Sequence, residues 1–144
     1  MYDTISNLKI LAKISLSIHC GCALYRQFVT YPAILENKNP TECVKNFESI
    51  FHTTQKIQIP TKLISLGCCL LNYYLKNNEK NILYAGIVIA LITPYSHGYM
   101  SPLSDKILDK SLDDNLKIPF LNKWTQLHSG RLGLALLANI LMNI

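Results

Sequence analysis

The chain has 144 residues, of which 49% are hydrophobic and only 16% charged, with a formal net charge of +5. Soluble domains carry nearer a quarter charged residues, so the deficit points to lipid. Twelve of the fourteen basic residues are lysines, scattered along the chain, and Arg26 and Arg131 stand far apart. That lacks the basic stripe a nucleic-acid binder needs, so no nucleic-acid partner is expected. Five cysteines, an odd number, argue against a closed disulfide framework. Cys20, Cys22, Cys68 and Cys69 lie inside apolar runs and read as small packing residues.

Four apolar segments follow in order, and they predict an all-α, integral-membrane four-helix bundle in a single domain, 1–144. The first covers residues 8–29 and carries Lys9, Lys13, His19 and Arg26. Its lysines and Arg26 sit near the two ends, where long basic side chains reach the headgroups. It reads as a retained anchor, because no small-residue cleavage site follows it.

Pro32 and the turn Asn37-Lys38-Asn39-Pro40 then open a polar link. Within it Thr41 reads as a helix N-cap, and Val44, Phe47, Ile50 and Phe51 recur at helical spacing. The expectation is a short amphipathic helix in the first loop, lying at the interface or lidding the bundle. The second segment, 57–75, contains Lys62 and ends on Tyr73-Tyr74. Lys76-Asn77-Asn78-Glu79-Lys80 forms a tight polar turn into the third segment, 81–103, with Tyr84 near its start. Tyrosines suit the headgroup level, so this pair reads as a helical hairpin.

The third segment has no charged residue and is apolar all round from Ile82 to Ile92. Such a helix faces lipid or is wholly surrounded. A link over 104–123 alternates Asp105, Lys106, Asp109 and Lys110, which predicts a solvated face. Its Asp113-Asp114-Asn115 resembles a calcium-loop fragment without the later ligands. The fourth segment, 124–144, is free of charge after Arg131. A spanning helix needs about 20 mostly apolar residues, which these segments reach by tolerating basic residues near their ends. The basic N-terminus and second loop place both termini inside.

Three constellations can carry chemistry. Trp124, His128 and Arg131 are spaced by four and three, which puts them on one helical face. A histidine titrates near neutrality and suits a general base. An arginine beside it can hold a developing oxyanion. The plainer alternative is an interfacial anchor. Pro94 interrupts the third segment and frees carbonyls beside Thr93, Tyr95, His97 and Tyr99, and broken membrane helices line sites. The first segment supplies His19 with Gly21, Ala23 and Tyr25, small residues that let helices approach. His19, His97 and His128 would sit on three different helices, and such a trio can ligate zinc, copper or iron. None is paired at three or four residues and no acid lies within the segments, so no metal and no cofactor are expected.

Three stretches together resemble the anthrone oxygenase family. They are Gly21-Cys22-Ala23-Leu24-Tyr25 with Tyr31-Pro32-Ala33, then Ile92-Thr93-Pro94-Tyr95 leading to Met100-Ser101-Pro102-Leu103, then Trp124, His128 and Arg131. Their order spans the whole chain. Tyr95-Ser96-His97 and Leu103-Ser104 depart from the family pattern, which has a threonine and an asparagine in those regions. The resemblance implies a four-helix membrane fold and cofactor-independent oxidation of an anthrone to an anthraquinone by molecular oxygen. It implies His128 as base or proton shuttle, with Arg131 and Trp124 stabilising and stacking the aromatic anion. Tyr25, Thr93, Tyr95 and His97 would contact this lipophilic aromatic substrate. The competing reading is a non-catalytic membrane subunit or scaffold, whose partners are lipid and other membrane subunits.

Overall fold

The four apolar segments form the middles of four long helical rods. The computed structural model describes residues 2–76 and 79–144, and among these there is no strand. The first rod is α1 (Tyr2–Tyr25), a π-helical turn (Arg26–Thr30) and α2 (Tyr31–Leu35), without a break. The second is one helix, α3 (Pro40–Lys76). The third repeats the plan of the first: α4 (Lys80–Tyr95), a π turn (Ser96–Met100) and α5 (Ser101–Leu108). The fourth is α6 (Asp114–Asn143). Asn77 and Asn78 of the expected hairpin turn lie outside the described residues.

Each π turn has the same local grammar. The Tyr31 N–H reaches the Arg26 carbonyl and the Ser101 N–H reaches the Ser96 carbonyl, each five residues back. A proline, Pro32 or Pro102, comes next. A proline within a helix has no N–H to give and its ring crowds the carbonyl of the turn before it. A wider turn immediately ahead relieves that crowding, so the helices pass through both prolines. Pro94 and Pro119 also sit inside helices. The breaks expected at Pro32 and Pro94 are therefore not breaks.

Two expected features of the links are corrected. The short amphipathic helix of the first loop is not separate: it is the start of α3, and the loop shrinks to residues 36–39. Residues 52–59 hold no glycine or proline to stop a helix. Its apolar stripe enters the core, with Val44 and Phe47 buried and Ile50 and Phe51 packed beside them. The cap is Asn39, not Thr41: the Asn39 side chain accepts from the Thr41 N–H at 3.1 Å, and Pro40 takes the first helical position. Likewise Asp113 accepts from the Asn115 N–H at 2.8 Å, so the calcium-like fragment is the N-cap of α6. The solvated link over 104–123 contracts to residues 109–113 between two helices.

Helix α1 packs mainly on α3, and α4 on α6, with α3–α4 and α1–α6 closing the ring. The core comes in two halves. One is aliphatic and small: Ala12, Leu16, Cys68, Ile82, Ala85, Ile89, Ala135 and Ala138. The other is aromatic: Tyr31, Phe47 and Trp124 with Met100, Ile107 and Leu121. On every rod the two halves are separated by polar positions, and the site lies in that layer.

The outer surface is apolar too. Ile10, Leu11, Ile14 and Ile18 on α1, Leu63, Leu70 and Leu71 on α3, Ile87 and Leu91 on α4, and Leu137 and Ile140 on α6 are all exposed. Two rods, Thr4–Leu35 and Lys80–Leu108, are long and apolar enough to cross a membrane, with mean hydropathies of 1.3 and 1.2. Only 33% and 28% of those windows is buried inside the bundle, so most of their apolar surface faces outward.

Candidate functional site

The layer between the two cores holds a cavity of about 180 Å³, open to the outside beside Thr93 and His97. The first rod contributes His19, Arg26 and Tyr31; α3 contributes Gln58 and Lys62. Thr93, Ser96 and His97 come from the third rod, and Trp124 and Arg131 from α6. Both π turns touch it, through Arg26 on one side and Ser96 and His97 on the other. A π turn absorbs one extra residue locally, so flanking helices keep their faces on the bundle while residues inside the turn are re-aimed. That is how Arg26, inside an apolar segment, comes to point inward with 5% of its surface exposed.

Three cations therefore meet here, and none makes an ion pair among the described residues. Arg26 Nε donates to the Cys22 carbonyl at 3.0 Å and its guanidinium also faces the Tyr31 hydroxyl. Lys62 Nζ donates to Thr93 Oγ1 at 2.8 Å. Arg131 donates from Nη2 to Gln58 Oε1, while its Nε is buried without a partner. The three lie within electrostatic reach of His19. No aspartate or glutamate lines the cavity among the described residues.

His19 is 1% exposed and faces the Gln58 backbone, but neither ring nitrogen completes a hydrogen bond of normal geometry. Buried polar groups are nearly always satisfied, and an orphan next to a cavity marks a place where a ligand or water completes the set.

Trp124 forms the aromatic wall. Tyr31 and Phe47 meet its ring edge-on at 5.2 and 5.0 Å, and His128 stacks on it at 5.5 Å. Its Nε1 donates to Ser104 Oγ at 2.9 Å, which fixes the ring plane. His128 is fully buried behind this wall, packed against Tyr31 at 5.1 Å. Its Nδ1 lies 3.0 Å from Gln27 Oε1, and its Nε2 has no partner.

The residues expected from sequence divide accordingly. Trp124, Arg131, Thr93 and His97 line the cavity. His128 shares their helix face but stands one layer behind. Tyr25 is exposed and lines a second, outward-opening groove of about 420 Å³ with Cys22, Ile50, Thr53 and Ile57, which shares Arg26 and Thr54 with the lining of the first cavity. Tyr95 lines neither: its hydroxyl donates to the Leu127 carbonyl at 2.9 Å and its ring leans on Tyr99. His19, Arg26, Tyr31, Gln58 and Lys62 complete the site. Arg26 reads as a headgroup-seeking side chain in the sequence; the structure turns it into the cavity instead.

His19, His97 and His128 do not assemble into a metal-ligand set, and no cluster of three His, Cys, Asp or Glu exists among the described residues. Comparisons with protein-family models, with curated proteins and with solved structures find no match to this chain. The class of the site is thus defined by its own chemistry: a cationic, aromatic-walled cavity inside a helical bundle, open on the side of Lys62, Thr93 and His97.

Proposed function

We propose that the protein is a multi-pass membrane protein and a cofactor-independent oxygenase of a lipophilic, anthrone-type aromatic. The carrying observation is the convergence of three unpaired cations and an unpartnered histidine on one cavity beside Trp124. The apolar belts on the outside of all four rods support the membrane placement, because a bundle in water would carry charge there.

An anthrone carries an acidic methylene. A base removes one proton, and the resulting carbanion is electron-rich enough to reduce oxygen without metal or flavin. The carbon loses two hydrogens and gains one oxygen atom as a carbonyl; the second oxygen atom of O2 leaves as water. Arg131, Arg26 and Lys62 stabilise the anion as it forms, which is where fixed charge lowers a barrier most. Trp124 stacks the ring system. The family resemblance assigns the base to His128. The cavity favours His19, whose ring reaches it, and gives His128 the task of holding Trp124 and Tyr31 in place.

Oxygen uptake by purified protein with an anthrone, corrected for the spontaneous rate, tests this. A general base contributes about 100-fold or more, so His19→Ala should lower the excess uptake by that factor. His128→Ala should lower it less. Wild-type uptake no faster than the spontaneous rate refutes the oxygenase, and an unaffected His19→Ala refutes the assignment of the base.

A further inference from the structure

We propose that the cavity recognises the oxyanion of an amphiphile, an aromatic carboxylate above all, whose apolar body leaves through the groove between α1 and α3. The inference shares the cavity with the oxygenase reading but does not require oxygen chemistry.

Charge comes first. Arg26, Lys62 and Arg131 are brought together in an apolar bundle with neutral partners only: a carbonyl, a hydroxyl and an amide. Arg26 and the Nε of Arg131 are held away from water, where cations are normally paired or line a path for a ligand, while Lys62 sits partly exposed at the open side with its bond to Thr93. Here no acid of the chain reaches them, and neither does one line the adjoining groove, among the described residues. Two arginines present planar forks that match a carboxylate or phosphate. The unpaired Nε of Arg131, the free Nε2 of Gln58 and the bare ring of His19 are further donors without acceptors on the same wall. An oxyanion would satisfy all of them together.

Size and shape say what carries the oxyanion. A dry cavity of about 150 Å³ holds one benzene. The cavity here, about 180 Å³, therefore takes one ring and its charged group against Trp124. Anything larger must extend into the groove, which is lined by Cys22, Tyr25, Ile50 and Ile57 and opens on the outer face of the bundle. Arg26 borders both spaces, so it stands where head and body of such a ligand would join.

Trp124 is the single tryptophan, so its emission reports the cavity directly. The experiment titrates the full-length protein in nonionic detergent with anthracene-2-carboxylate, with the neutral anthracene-2-carboxamide and with inorganic phosphate. Energy transfer from Trp124 to the anthracene, and quenching by phosphate, give the affinities. A charge-assisted contact predicts at least about tenfold tighter binding of the carboxylate than of the amide. Lys62→Met, a partly exposed position that tolerates change, should lower that preference, Arg26→Met should lower it further, and Lys62→Arg should keep it. Equal affinity for acid and amide overturns the proposal. So does a preference unchanged in both Lys62→Met and Arg26→Met. Phosphate that displaces the carboxylate with equal affinity makes this a free-anion site and overturns the amphiphile. Carboxylate preference without oxygen uptake upholds this inference while the oxygenase falls; uptake without preference does the reverse.

Discussion

A methyl group added at Gly130 would land on the Tyr95 hydroxyl and press on its ring. Glycine at that point lets α4 and α6 meet through the bond from Tyr95 to the Leu127 carbonyl. Overpacking of this kind costs about 1–3 kcal/mol, so Gly130→Ala should lower thermal stability in detergent accordingly. Tyr95→Phe removes the clashing oxygen, and in that background the same substitution should cost less, by a coupling of about 0.5 kcal/mol or more. Equal costs in both backgrounds would place the defect elsewhere. Gln58 is the second residue whose single partner matters. It is buried and holds Arg131, so Gln58→Leu leaves a guanidinium without its acceptor and should destabilise by about 1.5–3 kcal/mol. Added aromatic carboxylate should restore part of that loss by binding the freed cation; the readout is the unfolding midpoint with and without ligand.

At the scale of elements, the helix starts are set by side chains that the chain pattern half reveals. Asn39 caps α3 and Asp113 caps α6. Replacing a cap by alanine costs about 1 kcal/mol, whereas Thr41→Ala, which loses only an exposed hydroxyl bond to Asp114, should cost less. Denaturation of the three single variants separates these outcomes. The loop before α6 carries a pH signature. Asp109 accepts from the Ser111 hydroxyl at 2.7 Å and the Ser111 N–H at 2.8 Å, and these bonds hold its carboxyl below the ordinary 3.8. A carboxylate depressed on folding stabilises the folded form above the unfolded value, and that contribution is lost as pH falls through the depressed one. The Ser111 amide should therefore stay protected from hydrogen exchange as pH falls past the ordinary 3.8 and lose protection only through the depressed value below it, and Asp109→Asn should remove the dependence. The π turns are the other device at this scale. Deleting exposed Tyr99 or Val29 should restore a plain α-helix with little loss of helix content, yet misplace Ser96 and His97, or Arg26. Circular dichroism and Trp124 emission would read the two effects apart.

The whole molecule is apolar outside around its aliphatic half and polar outside around its aromatic half, where Lys45, Glu48, Lys56 and Lys123 are exposed, with a charged layer between them. Its outer residues test the membrane placement directly. Ile140 is 60% exposed on α6. Facing lipid, Ile140→Asp should oppose insertion by about 2.5–3.5 kcal/mol and deplete the membrane fraction. Facing water, the same change would fall within about 0.5 kcal/mol of neutral. The two ends of the bundle differ in kind. The aliphatic half, with Ala12, Ala85, Ala135 and Ala138, brings helices close; the aromatic half is bulky and holds them apart. The polar layer with its cavity lies between these two halves.

Helix content, the number of rods and the apolar belts were legible from the sequence, since hydrophobic runs of this length have few other solutions. So was one wall of the site: Trp124 and Arg131 fall on a common face by helical geometry alone, and that holds in three dimensions. Rod lengths were less legible, because Pro32 and Pro94 read as breaks, while neighbouring helices and π turns absorb them. Which basic residues seek water and which turn inward was decided only by the tertiary structure. Arg26 and Lys62 look alike in an apolar run; one is aimed by a π turn and the other by its bond to Thr93 on the next helix. The same holds for the histidines. Spacing puts His128 on the face of Arg131, but only the packing of Tyr31 and Trp124 seals it off and leaves His19, one helix away, bare to the cavity.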